Sequence, residues 1–360
     1  LGALVILMTL ATVMAVPAMA RLQPWSVSES TSPDKPGASL ADVNRSGGLP
    51  VGPALLPPST WTIENVDEVG DVGRTPSLAL SSGAVPCIAY YDVTNGDLKY
   101  ASKTGGIWTI ETVDATGNTG IDCSLALTAG GDPRISYYNY TNGDLKYASR
   151  TAGVWTIETV DSGGIVGDYS SLALDPGGSP RISYYDQTNG NLKYASRAGA
   201  TWTIETVDTG GTAVVGRFTS LALWDGTDPR ISYLDDTNVD LKFALRTTAG
   251  VWATSVVDNA GGHYTSMRLS PDGDPQISYY DVMAGDLKYA VWTGSAWTVW
   301  VVDSPGNVGF STSLALGSDG LARISYGDET NRNLKYAEDA GLPAWSIQLV
   351  DSPGDVGAFT

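Results

Sequence analysis

The sequence predicts an all-β fold, a β-propeller of four-stranded antiparallel blades, and three observations predict it. A phrase of 45 to 50 residues recurs from residue 61 onward, in its fullest form SLALDPGGSPRISYYDQTNGNLKYASRAGATWTIETVD at 171–208, and a self-similar period of that size marks propellers and arrays. The phrase holds four short strand signals separated by turn signals. No stretch of the repeated region carries a 3.6-residue apolar period long enough for a helix.

Each element of the phrase has its own reason. Residues 171–174 (SLAL) form the first strand, and Asp175-Pro176-Gly177-Gly178 turns the chain. Residues 181–186 form the second, rich in Ile and Tyr. Thr188-Asn189-Gly190 makes a hairpin, because Asn and Gly tolerate positive φ. Residues 191–197 form the third strand and Gly199 marks another tight turn. Residues 202–208 form the fourth, with four β-branched residues among its seven. One such blade cannot bury both faces alone, so the ring must be nearly complete.

The marker Trp that heads the fourth strand stands at Trp61, Trp108, Trp155, Trp202, Trp252, Trp297 and Trp345. From the Ser that opens each first strand to the next marker is 31 or 32 residues, whereas the connection before that Ser runs from 8 to 12. A rigid unit is therefore strung on a variable loop. Six full units follow a lone fourth strand at 61–67, and the last residues, to Thr360, stand where another SLAL is expected. This pattern predicts six complete blades and a parent ring of seven, cut at its C-terminal end; a six-bladed ring with a spare strand is the alternative.

Ahead of the repeats, residues 1–20 are apolar and end in Ala18-Met19-Ala20, which reads as a secretory signal peptide; a retained anchor is the other reading of 20 apolar residues. Residues 21–59 are rich in Pro, Ser, Gly and Ala and predict a mobile linker. The propeller is expected over 60–360. A secreted or cell-surface protein follows, without membrane insertion once the signal is cleaved. The net charge of −18 disfavours nucleic acid. Cys87 and Cys123, the two cysteines, are expected at opposite ends of neighbouring blades, as free buried thiols.

The recurring polar residues have structural readings first. The Asp that ends each fourth strand, as in Asp161 and Asp208, is expected to cap turn amides. The hairpins 92–97 and 281–286 each carry two carboxylates around a Gly turn, the beginning of a calcium loop; calcium wants six to eight oxygens, so no cofactor is expected, with calcium the one possibility. Arg134, Arg181, Arg230 and Arg323 on second strands, the third-strand lysines and Glu64, Glu111, Glu158 and Glu205 on fourth strands are expected to pair across the sheet. A repeated set such as Arg181, Glu205 and Trp202 is also the chemistry of a sugar site, charged groups on hydroxyls and an aromatic face under the ring.

Departures from the phrase are the sharper candidates. His263 is the single histidine, beside Tyr264; Arg217-Phe218, Trp224, Arg268, Trp292 and Trp300 also break the pattern, clustered in two adjacent blades. Arg217, His263, Tyr264, Arg268, Trp224 and Trp292 are therefore expected to contribute to a binding rim. A lone His without a partner Cys or second His does not make a zinc site. No nucleophile elbow and no phosphate-binding Gly loop is present.

The phrase SLAL…G-x-P-x-I-S-Y-Y-D…N-G-D-L-K-Y-A…W-T-I-E-T-V-D resembles the tandem repeats of secreted bacterial and archaeal propellers related to the sialidase-like, Asp-box group and the fucose-binding propeller lectins. The resemblance covers 61–360. It implies either a lectin combining Arg, Glu and an aromatic between blades, or a glycoside hydrolase or lyase with an arginine triad, a Tyr–Glu nucleophile pair and an acidic proton donor. Since the arginines recur regularly and no unique triad stands out, the expectation is a secreted, carbohydrate-binding, non-catalytic propeller. The alternatives are the sialidase-like enzyme and a protein-interaction module of the cell envelope.

Overall fold

The computed structural model describes residues 3–7, 61–247, 249–352, 354 and 356–358. Over these residues it contains six four-stranded antiparallel sheets and no helix. Each sheet is one repeat of the phrase, and the six blades span 72–114, 119–161, 166–208, 215–258, 263–303 and 308–351. In blade 3 the strands are Val166–Leu174, Pro180–Asp186, Asn191–Ala198 and Thr201–Asp208. First strands of successive blades touch one another, which makes them the innermost and leaves the fourth strands at the outer edge.

The first strand begins earlier than its sequence suggests. In blade 3 it takes in Val166–Ser170, residues that the phrase assigns to the variable loop. Their pattern is hidden because the ladder is bulged there: register shifts fall between Val166 and Asp168 and between Asp168 and Ser171. The same bulge in every blade puts a non-glycine residue in the left-handed region, namely Thr75, Asp122, Tyr169, Phe218, Tyr264 and Ser311, at φ of 45° to 56°. Each costs about 1–2 kcal/mol. Hydrogen bonds between blades hold them: the Tyr169 amide donates to Asp122 Oδ2 at 2.9 Å, and Thr219 Oγ1 donates to the Tyr169 carbonyl at 3.0 Å.

The Ser that opens SLAL is a staple between blades. Ser124 Oγ accepts from the Leu172 amide at 3.0 Å, and Ser171 Oγ from Leu221 at 3.0 Å. Behind these strands the second-strand tyrosines Tyr90, Tyr137, Tyr184, Tyr233, Tyr279 and Tyr326 are fully buried. Cys87 and Cys123 are free and buried.

The lone strand Thr62–Asp67 stands between blade 6 and blade 1. Trp61 packs edge-on against Tyr336 of blade 6 at 5.5 Å, as Trp345 does against Tyr289 at 5.1 Å. Asp67 accepts from Tyr90 and Lys99 of blade 1 at 2.8 and 3.1 Å, as Asp114 does from Tyr137 and Lys146. Inside it, Ser311 Oγ donates to the Ala358 carbonyl at 2.9 Å. Among the described residues there are six full blades, with the lone strand in contact with both blade 6 and blade 1. Ala3–Leu7, within the expected signal peptide, pairs antiparallel with the lone strand; the expected linker at 21–59 lies outside the described residues. Among the described residues no helix is long and apolar enough to cross a membrane.

Candidate functional site

The repeated polar residues are mostly committed to joining blades. The Asp at the end of the fourth strand caps a turn at Asp67, Asp114, Asp161 and Asp208, as where Asp161 Oδ1 accepts from the Gly163 amide at 3.0 Å. Its other oxygen reaches the next blade and accepts from Tyr184 and Lys193 at 2.7 and 2.9 Å. Burial works to raise the Asp161 pKa, but the bonds from Lys193, the Gly163 amide and Tyr184 outweigh it and hold the carboxyl below its ordinary value. The recurring third-strand lysines Lys99, Lys146, Lys193, Lys242, Lys288 and Lys335 therefore pair with the preceding Asp and not with the fourth-strand glutamates. A strand's own sequence cannot show this, because the partner belongs to a different sheet.

The hairpin carboxylates are engaged too. Asp186 accepts from the Asn189 amide and side chain at 3.0 and 2.9 Å, and Lys193 lies 3.4 Å from it. An ammonium group thus lies where a calcium loop would need a cation. Among the described residues no cluster of three or more His, Cys, Asp and Glu is placed to hold a metal. Arg181 turns to the opposite end of its blade, donating to Asp175 at 2.9 Å and to the Arg197 carbonyl at 3.1 Å.

The fourth-strand glutamates build something different. Glu111 of blade 1 receives Arg150 and the indole N–H of Trp155, both of blade 2, at 3.0 and 3.1 Å, with the guanidinium 5.9 Å from the Trp155 ring. Glu158 receives Arg197 and Trp202 at 3.0 and 3.2 Å, and Glu205 receives Arg246 and Trp252 at 3.1 and 3.1 Å. At Glu64 the cation is Lys103, at 2.5 Å, and the indole is Trp108, at 3.3 Å. The Lys103 bond holds the Glu64 carboxyl below its ordinary pKa. Trp155, Trp202 and Trp252 also meet the preceding blade's third-strand tyrosine, as Trp202 does Tyr147 at 5.4 Å. The result is a half-exposed groove with a carboxylate, a cation and an aromatic face. The expected trio Arg181, Glu205 and Trp202 is thereby corrected: Trp202 faces Glu158, Glu205 faces Trp252, and the arginines are Arg150, Arg197 and Arg246 on third strands.

In blades 4 to 6 the groove chemistry stops. Ser255, Trp300 and Gln348 replace the glutamate, and Trp292 and Asp339 replace the cation. Trp292 instead packs edge-on against Trp297 at 5.5 Å, and Trp300 lies 6.2 Å from Tyr289.

Of the residues expected at a rim, the structure brings together Arg217, His263 and Tyr264, all on the bulges of first strands near the axis. Arg217 pairs with Asp236 at 2.9 Å and lies 6.0 and 5.7 Å from the rings of Tyr169 and Tyr185. Tyr169, Phe218, Tyr264 and Phe310 form a row of touching rings across blades 3 to 6, at 4.6, 4.8 and 5.6 Å. His263 lies 5.3 Å from Phe218, and among the described residues nothing bonds its buried Nδ1. Burial lowers its pKa, with Asp236 opposing and Arg217 acting in the same direction as burial. The other three are elsewhere. Arg268 is half-buried, donates to the Met267 carbonyl at 2.8 Å, and has its pKa lowered to about 10 by desolvation. Trp224 lies at the opposite end of its blade under Arg230, at 5.5 Å, and Trp292 is on the outer edge.

Sequence reasoning missed a cleft of about 310 Å³ beside the aromatic row, lined by Phe310, Gly327, Asp328, Glu329 and Arg332 together with Val356–Ala358. Two substitutions in the phrase, visible once the six units are aligned, signal it. Gly327 stands where Tyr91, Tyr138, Tyr185 and Tyr280 stand in other blades, and Arg332 where Gly96, Gly143, Gly190 and Gly285 stand.

No protein-family profile matches the chain, and no curated protein does. Solved structures share its architecture. A protein of unknown function from Dyadobacter fermentans superposes with a TM-score of 0.50 at 11% identity, over 77% of this chain and 93% of that one. The Aleuria aurantia lectin, in complex with α-methyl-L-fucoside, gives 0.50 at 19% identity, over 78% and 96%. An α-L-arabinofuranosidase from Fusarium graminearum, in complex with an iminosugar inhibitor, gives 0.50 at 14% identity, over 71% and 88%. At these identities the likeness establishes the β-propeller fold that this chain shares with the lectin group.

Proposed function

We propose that this chain is a secreted or cell-surface propeller that binds carbohydrate without chemistry. The observation that carries the reading is the groove between blades. Its carboxylate, cation and indole recur in four equivalent places at Glu64, Glu111, Glu158 and Glu205. Sugar hydroxyls both donate and accept, so a carboxylate beside a guanidinium serves a pair of adjacent hydroxyls, and an indole covers the apolar face of the ring. Repetition multiplies weak sites into avidity. The Aleuria lectin holds a fucoside on the same architecture, which supports the scaffold's suitability. The acid net charge makes nucleic acid a poor partner. The apolar stretch at 1–20 serves as the export signal, and N-terminal sequencing of the mature product checks that.

A glycan array followed by calorimetry tests the reading. Binding of at least one sugar class is expected, with several equivalent sites per chain, and Glu158→Gln should remove one of them. Absence of binding to every sugar would overturn it.

A further inference from the structure

Blade 6 departs from the phrase twice, and both departures fall on one cleft. At position 327 glycine replaces the usual tyrosine, which vacates the space that this ring fills elsewhere. A Cβ there would stand 2.4 Å from the Gly357 carbonyl oxygen, so the site accepts glycine alone while that segment lies against it. At position 332 the hairpin residue is arginine, held at φ 57°. Four blades use glycine at this position and blade 4 uses Val239. A large side chain in the left-handed region is strained, and such strain collects at functional places. Arg332 is exposed, and its side chain makes no ion pair or hydrogen bond with any described residue. Nothing in the fold therefore explains why glycine was exchanged for it.

The rest of the lining is ordered. Glu329 is oriented by Asn307, whose Nδ2 donates to Oε2 at 3.1 Å. Asp328 is committed to Asn331 at 2.9 Å and to Lys335 at 2.8 Å. Phe310 is half-buried and ends the aromatic row, touching Tyr280 at 4.4 Å. Lys335 is shared between Asp328 and Asp303, so the cleft offers one exposed cation, Arg332, two carboxylates, Glu329 and the engaged Asp328, and one aromatic face. At about 310 Å³ it is at the small end of ligand sites.

We infer that this cleft binds one neutral pyranose-sized sugar per molecule, with Phe310 as the platform, Arg332 as donor and Glu329 as acceptor. The inference rests on the carbohydrate reading for its ligand class, and on blade 6 alone for its place. The excess of carboxylates disfavours an acidic sugar, since a further carboxylate would face Glu329 and Asp328.

Calorimetry or saturation-transfer NMR with the methyl glycosides of fucose, galactose, glucose, N-acetylglucosamine and glucuronic acid tests it. Arg332→Gly restores the phrase; it should keep or raise the melting temperature while weakening one site at least 10-fold, which a merely structural arginine would not do. Phe310→Ala should weaken the same site. The quadruple variant Glu64→Gln/Glu111→Gln/Glu158→Gln/Glu205→Gln should leave that site intact while the grooves fail. If Arg332→Gly and Phe310→Ala bind every sugar like the parent protein, the cleft assignment falls and the groove reading stands. If the cleft binds and the grooves do not, the groove reading falls alone. Tighter binding of the glucuronide than of any neutral sugar would overturn the charge argument, and no binding of any glycoside would overturn both proposals.

Discussion

Blades 1 to 3 and blades 5 and 6 are built from the same phrase and have diverged in different ways. In the first group the fourth-strand Asp and Glu both have partners in the neighbouring blade: Asp161 with Tyr184 and Lys193, Glu158 with Arg197 and Trp202. In the second group the Asp–Tyr–Lys link is retained, as at Asp303 with Tyr326 and Lys335, at 2.7 and 3.1 Å. The Glu–cation–Trp groove is lost there. The buried link is thus required by the ring, whereas the half-exposed groove is dispensable to it. A feature that the scaffold can do without is the better place to look for recognition.

The largest expected effect comes from breaking the buried link. Asp161→Ala would strand Tyr184 and leave Lys193 with Asp186 alone, and removing one partner of a buried pair costs about 3–5 kcal/mol, measurable by urea unfolding. Asp303→Ala should cost as much, since both ends of the molecule need the link; a much smaller loss there would break the comparison. The link also sets the acid limit. Because the folded Asp161 pKa is depressed, its contribution is present above the unfolded carboxyl value of about 4 and is lost as pH falls through the lower folded value. Lys193 is the opposite case. Burial lowers its pKa but the bonds to Asp161 raise it above the ordinary value, so its contribution is full below about pH 10 and fades above it. Unfolding monitored from pH 7 to pH 2 should show stability falling below about pH 4.

A smaller effect is expected in the grooves. Trp155→Ala removes a half-buried indole and should cost roughly 2 kcal/mol, below the 3–5 of a fully buried Trp. Trp297, whose neighbour Trp292 replaces the cation, has no carboxylate to lose, so Trp297→Phe should be milder than Trp155→Phe in thermal unfolding. The smallest effect belongs to the ion pair itself: a double-mutant cycle on Glu158 and Arg197 should give a coupling below about 1 kcal/mol. A coupling several times larger would mean that the groove is structural after all, and would weaken its reading as a sugar site.

Much of the fold was legible because its signals are local. Turn residues such as Thr188-Asn189-Gly190, β-branched fourth strands and a constant unit length mark four strands per repeat without reference to any other part of the chain. The start of the first strand was not legible. Asp168-Tyr169, Arg217-Phe218 and His263-Tyr264 sit on bulges whose left-handed backbone erases the two-residue alternation. The site was legible only in part. Arg217, His263 and Tyr264 stand near one another on first-strand bulges, whereas Trp224, Trp292 and Arg268, expected with them from closeness in sequence, are dispersed by the geometry of a blade.

The sequence by itself determined a propeller of four-stranded blades and the positions where its phrase is broken, because period, turn chemistry and strand propensity act over a few residues. Only the tertiary structure decided which Glu meets which Trp, why each fourth-strand Asp recurs, and that Gly327 and Arg332 face one cleft. Those pairings form between blades, about one repeat apart in the chain, and the stacking of sheets around the ring chooses them.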